Sequence, residues 1–322
     1  LGVLDLGFEN WQPALFAWIF WCVSLCVGQV LIRGEQGKRI LFVLPSALFV
    51  ISLTIIPLLL GVAIAFSDWN LASPDGPSFA GLDNIERMLS DRFYWNALTN
   101  MVFYTLAVLV EYAIAFGLAL LLSLQIRARR FFRVAFLVPL MLSPVAVAFM
   151  IGKSMLEFRF GPIPNLARAL GWEDPAFFAS GELARITMGV IDAWIFIPFM
   201  MIMLLAGLQA LPTEVIEAAR VDGASAWQTF RKVIFPLMLP VSLTAIIVRI
   251  IFKLKLADNV INITAGGPGG ATDTVTSFIF REYRDRSNVG YGTLLAIFDL
   301  VIIIIGLTLL IRGLSRWMRP YS

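Results

Sequence analysis

The sequence predicts an all-α protein, a polytopic bundle of about seven membrane-spanning helices. Three observations carry this. Of 322 residues, 59% are hydrophobic and 15% charged, more apolar material than a water-surrounded core can use. The apolar residues collect in runs long enough to cross roughly 30 Å of hydrocarbon. The polar segments between those runs alternate in charge.

The runs cover, approximately, residues 13–32, 40–66, 97–123, 131–155, 184–208, 237–257 and 290–311. Arg33, Lys38 and Arg39 follow the first, Arg127, Arg129, Arg130 and Arg133 the third, and Arg312, Arg316 and Arg319 the last. The positive-inside rule places these segments, and the C-terminus, in the cytoplasm. The opposite segments, about 68–95, 156–185 and 258–288, carry Asp68, Asp75, Asp83, Glu86, Asp91, Glu173 and Asp174 and are assigned outside. An odd number of spans then puts the first residue outside, where no charged signal-peptide region opens the chain, so a further upstream helix is expected. The expected organisation is an accessory span with its linker over residues 1–39 and a core domain over 40–322. Gly81–Leu89 reads as a short surface helix and Gly161-Pro162-Ile163-Pro164 as a rigid turn.

Several function classes drop out. A net charge of +3, with its basic clusters beside apolar runs, does not suit nucleic acid. The sequence has no histidine, which removes His-based zinc sites, Ser-His and Cys-His nucleophiles and histidine proton relays. Cys22 and Cys26 are helix neighbours in an apolar run without a second pair, so they read as packing residues and no metal site is expected. Gly152-Lys153-Ser154 imitates the end of a phosphate loop, but the first glycine of that motif would fall at Val147, inside an apolar helix. Gly266-Gly267-Pro268-Gly269-Gly270 lacks the following Lys-Ser/Thr and reads as a turn. Neither segment binds ATP on this reading, and no catalytic residue is assigned.

Ionisable side chains at bilayer depth cost about 2.5–3.5 kcal/mol each, so Glu111, Lys153, Asp192, Arg249, Lys253 and Asp299 require partners or a polar cavity. Asn100, Tyr104 and Glu111 share one face of the third run, while Arg249 and Lys253 are i and i+4 on the sixth. Two outcomes are open. The stripes line a solute path, or they form structural ion pairs such as Glu111 with Arg249.

The segment 211–236, between the fifth and sixth runs, reads as helix, turn, helix. Pro212 opens the first helix, Asp222-Gly223 supplies the turn, and Pro236 is expected to break the second. Ala218, Ala219 and Ala224 leave a small surface that another protein can approach closely; Trp227 and Phe230 alternatively fit a loop lying on lipid headgroups.

Within that segment, Glu217-Ala218-Ala219, Asp222-Gly223-Ala224, Val233, Phe235 and Pro236 resemble the EAA signature of permease subunits in binding-protein-dependent ABC importers. Val233 and Phe235 replace the usual Ile and Leu, with the spacing intact. Phe66-Ser67-Asp68-Trp69, Phe79 to Asn84, Trp194 with Pro198-Phe199-Met200, Ala206 to Gln209 and Thr264 to Pro268 are similar to the carbohydrate-uptake branch, specifically its maltose-type first permease.

The resemblance implies a non-enzymatic subunit of a bacterial inner-membrane importer. Its partners would be a second permease, two cytoplasmic ATPase subunits that bind ATP and magnesium, and an external solute-binding protein. Glu217 would contact the ATPase, Asp222-Gly223 would make the turn, and Ala218, Ala219 and Ala224 would pack closely on the partner. It also places a mid-membrane carbohydrate site at Asp192, Ile195, Phe196 and Phe199 and at Phe252, Lys253 and Leu256; Arg249 and Glu111 join this candidate path from the polar stripes alone. Asp192 and Lys253 stand where the family has amides, and Arg249, Lys253 and Lys255 could offset a negative group, so an anionic sugar derivative is expected, unless Asp192 and Lys253 simply pair. A polyol or glycerol-phosphate cargo, and a proton-coupled carrier using Glu111 or Asp192, are the competing functions.

Overall fold

A computed structural model of the chain describes residues 12–74, 76–124 and 127–318. Asp75 and Arg319 of the expected charge pattern lie outside them. The chain forms two compact units, one from residues up to Ser90 with Ile279–Asp299, the other from Asp91–Phe278 with residues from Leu300 on. The fold among the described residues is all-α, as expected, apart from one two-residue strand pairing. Among the described residues five helices are long and apolar enough to span a membrane, six if one bent pair is a single span.

In the first unit, α1 (Gln12–Val50) passes through a π-helical turn, Ile51–Ile55, into α2 (Ile56–Ala65). The first two expected spans are therefore continuous, with Phe42–Ala65 as the spanning length and Phe16–Leu25 as a shorter apolar stretch. The charged linker between them contains mostly good helix formers, so polarity there does not interrupt the backbone. The wide turn immediately precedes Pro57, whose ring cannot fit a regular preceding turn. A two-residue pairing of β1 (Ser67–Asp68) with β2 (Ser78–Phe79) leads to α3 (Asp83–Ser90), the expected surface helix. Asn84 ties it back by donating to the carbonyls of Ala65 at 3.0 Å and Ser67 at 2.9 Å.

The second unit is built on three long helices. The first, α4 (Arg92–Ser123), is capped by Asp91, whose carboxylate accepts from the Phe93 N–H at 2.9 Å. The fourth expected span is broken: α5 (Arg129–Met141) and α6 (Pro144–Val147), the latter prolonged by a π-helical segment to Met155, are bent by 95°. Ser143 caps the new helix through the Ala146 N–H and Pro144 holds its first position, which is why the chain restarts there in a new direction. The expected turn at Gly161–Pro164 instead opens α7 (Pro162–Ala169), because proline at the first helical position loses no hydrogen bond.

The second long helix is α8 (Gly181–Gln209), followed by α9 (Thr213–Val221) and α10 (Ala226–Thr229). The break expected at Pro236 does not occur. A π-helical turn, Phe230–Ile234, absorbs the proline and α10 runs on into α11 (Phe235–Leu254), giving one spanning length from Ala226. The chain breaks later, at Lys255–Ala257, before α12 (Asp258–Ile263); α13 (Val275–Arg284) and α14 (Val289–Met318) complete the order. Buried Val108, Ala115, Phe116, Met200, Leu204 and Met238 form the core joining α4, α8 and α11. At Gly207 a Cβ would stand 2.9 Å from Val241, so glycine sets how closely α8 approaches α11.

Candidate functional site

Two places in the second unit collect the residues singled out by sequence. The first is the connection between α8 and α11. No residue of α9 is buried; Glu217, Ala218 and Asp222 are exposed, and Ala219 and Ala224 half-buried. Gly223 takes φ of +77°, a left-handed turn that glycine adopts without strain. Ser225 and Gln228 then make a reciprocal capping box, with the Ser225 N–H donating to Gln228 Oε1 at 2.8 Å, so α10 starts in a fixed direction. Apolar Val221 and Trp227 are 87% and 66% exposed, so this motif offers a firm, partly apolar surface that the rest of its unit leaves open. Trp227 stacks on Phe230, 5.5 Å between ring centroids, which secures α10 to the start of α11.

The second place is a buried charge cluster between the three long helices. Glu111 on α4, Asp192 on α8, and Arg249 and Lys253 on α11 are each no more than 2% exposed. Glu111 accepts from Arg249 Nε at 2.7 Å and from Lys253 Nζ at 2.8 Å. Asp192 Oδ2 accepts from Arg249 Nη2 and from Lys253 Nζ. Two cations and two carboxylates thus close a four-membered ring of ion pairs. Both pairings considered from sequence, Glu111 with Arg249 and Asp192 with Lys253, are present together. Arg249 also lays its guanidinium over Phe196, Cζ to centroid 4.3 Å.

Asp192 also borders a cavity of about 200 Å³. Asp192, Ile195, Phe196, Phe252 and Leu256, candidate path residues of the sequence reading, are among its lining. Glu111, Arg249 and Lys253 do not reach its wall and stand behind it, linked through Asp192. Phe199 is one layer away, packed on Phe252 at 5.5 Å between centroids, while Phe196 meets Phe252 at 5.8 Å.

Two interruptions in the helices complete the wall: Leu142 and Pro144 at the α5–α6 bend, and Lys255 to Asn259 at the α11–α12 break. Backbone that leaves a helix inside a membrane protein survives where it faces a cavity rather than lipid, and both breaks face this one. Pro144, Asp258 and Asn259 were missed by sequence. Ser143-Pro144 inside an apolar run was the available helix-start signal. Asn100, grouped by sequence with Glu111, does another job: its amide donates to the carbonyls of Gly270 at 3.1 Å and Asp273 at 2.9 Å, clasping the glycine-rich turn. Lys153 is exposed on the π-helical segment, outside the ring.

Residues 112–320, which hold the α8–α11 connection and most of the ion-pair ring, match the family described as "Binding-protein-dependent transport system inner membrane component". Across 286 residues the chain is 29% identical to the trehalose/maltose transport system permease protein MalF of Thermococcus litoralis, covering 88% of this chain and 96% of that protein. It is 30% identical over 266 residues to the sulfoquinovosyl glycerol transport system permease protein SmoG of Agrobacterium fabrum, covering 82% and 86%. A chain in the crystal structure of a bacterial alginate ABC transporter, in complex with alginate pentasaccharide-bound periplasmic protein, has the same fold. The TM-score is 0.73 at 18% identity, over 97% of this chain and 98% of that one.

Proposed function

The chain belongs to the family of binding-protein-dependent transport system inner membrane components, and from that premise we propose that it is the permease subunit of an ATP-driven importer of a carbohydrate or carbohydrate derivative. The observation that carries this reading is the exposed helix, glycine turn and capped helix joining α8 to α11, the two helices whose inner faces bear Asp192 and Arg249. A push on α9 acts on the ends of both helices. The names of relatives that carry trehalose, maltose and starch degradation products support carbohydrate as the cargo.

The working assembly pairs this chain with a second permease, two ATPases that bind ATP and magnesium, and an external solute-binding protein. Glu217, Ala218, Ala219 and the Asp222-Gly223-Ala224 turn face the ATPase in the cytoplasm, where the C-terminus also lies. The cavity bounded by Phe196, Phe252 and Asp192 holds the solute in transit, its aromatic faces suited to stacking on a sugar ring.

Reconstitution with the ATPases and the binding protein tests this by solute-stimulated ATP hydrolysis. Glu217→Arg is expected to abolish the stimulation and weaken ATPase association while leaving the permease folded. Unchanged stimulation and association would overturn the coupling role.

A further inference from the structure

The relatives divide by cargo charge. Trehalose and maltose are neutral, whereas sulfoquinovosyl glycerol carries a sulfonate, so likeness leaves the charge of this chain's solute open. The cavity speaks to it. An anionic sugar is held by surplus cations, above all by an arginine fork presented to carboxylate or sulfonate. Here Arg249 stands behind the cavity wall with Nε on Glu111 and Nη2 on Asp192, and only Nη1 has no partner among the described residues. Lys253 is divided between the same two carboxylates. On the rim, Lys255 and Asp258 are exposed residues of opposite sign. Glu111, Asp192 and Asp258 balance Arg249, Lys253 and Lys255, three against three, and no cation is left over.

Of the side chains that line the cavity, Asn259 and Asp192 offer acceptors beside the exposed amine of Lys255, while Arg249 Nη1, which has no partner among the described residues, stands behind the wall. Asn259 lines the cavity at 3% exposure, and its Oδ1 has no hydrogen-bond partner among the described residues. Both cations meet Asp192 at Oδ2, which leaves Oδ1 of this wall residue without a hydrogen bond among the described residues. An unmet buried acceptor such as Asn259 Oδ1 requires a donor. Sugar hydroxyls donate, whereas a carboxylate or sulfonate brings only further acceptors and like charge. The volume of about 200 Å³ is below the 300 Å³ or so of drug-sized pockets, on the scale of a single sugar ring.

We propose that this cavity selects an uncharged polyhydroxyl ring, whose hydroxyls donate to Asp192 and Asn259 while its face stacks on Phe196 and Phe252, and that charge balance in its walls rejects sugar acids. The inference rests on the cavity being the solute site. It reverses the anionic cargo suggested by the cations of α11, because their partners from α4 and α8 neutralise them. Lys255, Asp258 and Asn259 become specificity-determining residues.

The test uses the full complex of both permeases and ATPases in lipid nanodiscs without the binding protein, so that only the membrane site selects. Binding of methyl glycosides is compared with that of the matching methyl glycuronides in the gluco, galacto and manno series. Within each series the pair differs in charge at one carbon. The neutral member is expected to bind at least tenfold more tightly in the series that fits; equal or tighter binding of the uronide overturns the proposal. Asp258→Asn, on the exposed rim, leaves Lys255 uncompensated and is expected to shift the ratio at least threefold toward the uronide; an unchanged ratio overturns the charge-balance argument. If no glycoside binds in any series and Phe252→Ala leaves solute-stimulated ATP hydrolysis intact, the cavity is not the solute site, and both readings fall.

Discussion

Replacing Glu111 by glutamine removes one charge from the ion-pair ring and almost nothing from its shape. Arg249 and Lys253, at 0% and 1% exposure, must then share the single carboxylate of Asp192. The hydrogen bonds lost or weakened are the 2.7 Å contact from Arg249 Nε and the 2.8 Å contact from Lys253 Nζ. Breaking a buried pair from one side costs about 3–5 kcal/mol, because the charge left behind stays desolvated. At about 2 °C per kcal/mol for a chain of this size, the unfolding midpoint of the purified permease should fall by about 6–10 °C. Lys253→Met alone should fall comparably, since it leaves two carboxylates on one arginine. The double variant Glu111→Gln/Lys253→Met keeps a balanced Arg249–Asp192 pair and should recover most of the loss. Midpoints are read by thermal denaturation in detergent, with the four proteins compared as a double-mutant cycle. If the single variants match the parent, or the double variant loses the sum of the two, the four charges do not act as one neutral unit.

Two further outcomes follow from local geometry. Gly223→Val places a β-branched side chain at φ of +77°, which costs about 1–2 kcal/mol and should re-aim α10; ATPase co-purification is expected to fall while the midpoint moves little. Asn100→Ala removes its amide from the carbonyls of Gly270, which keeps the Asn96 amide at 2.6 Å, and of Asp273, a cost of about 0.5–1.5 kcal/mol per hydrogen bond lost. Faster proteolysis or hydrogen exchange across residues 264–277 would register it, and an unaltered exchange pattern there would refute the clasp.

The sequence by itself determined the solvent, the class and the helix-turn-helix between α8 and α11. Apolar runs of membrane length and alternating loop charge are properties of consecutive residues, so they survive in one dimension. The motif from Leu211 to Pro236 is equally local: its turn depends on Gly223 and its caps on Ser225 and Gln228, all within one short stretch. Local reading also misplaced things. Pro236 was expected to end a helix and Gly161–Pro164 to form a turn, yet a π-helical turn absorbs one proline and a helix N-terminus accommodates the other.

Only the tertiary structure decided what the buried charges do. Glu111 lies 138 residues from Arg249, and Asp192 lies 61 from Lys253, so no spacing rule pairs them. Read along α11, Arg249 and Lys253 are a cationic stripe awaiting an anion. Once α4 and α8 are packed against it, the same stripe is neutral, and of the four ring residues only Asp192 lines the cavity. Sequence names the charges, but their sign as felt by a solute is a sum over three helices, and that sum exists only when the helices are together.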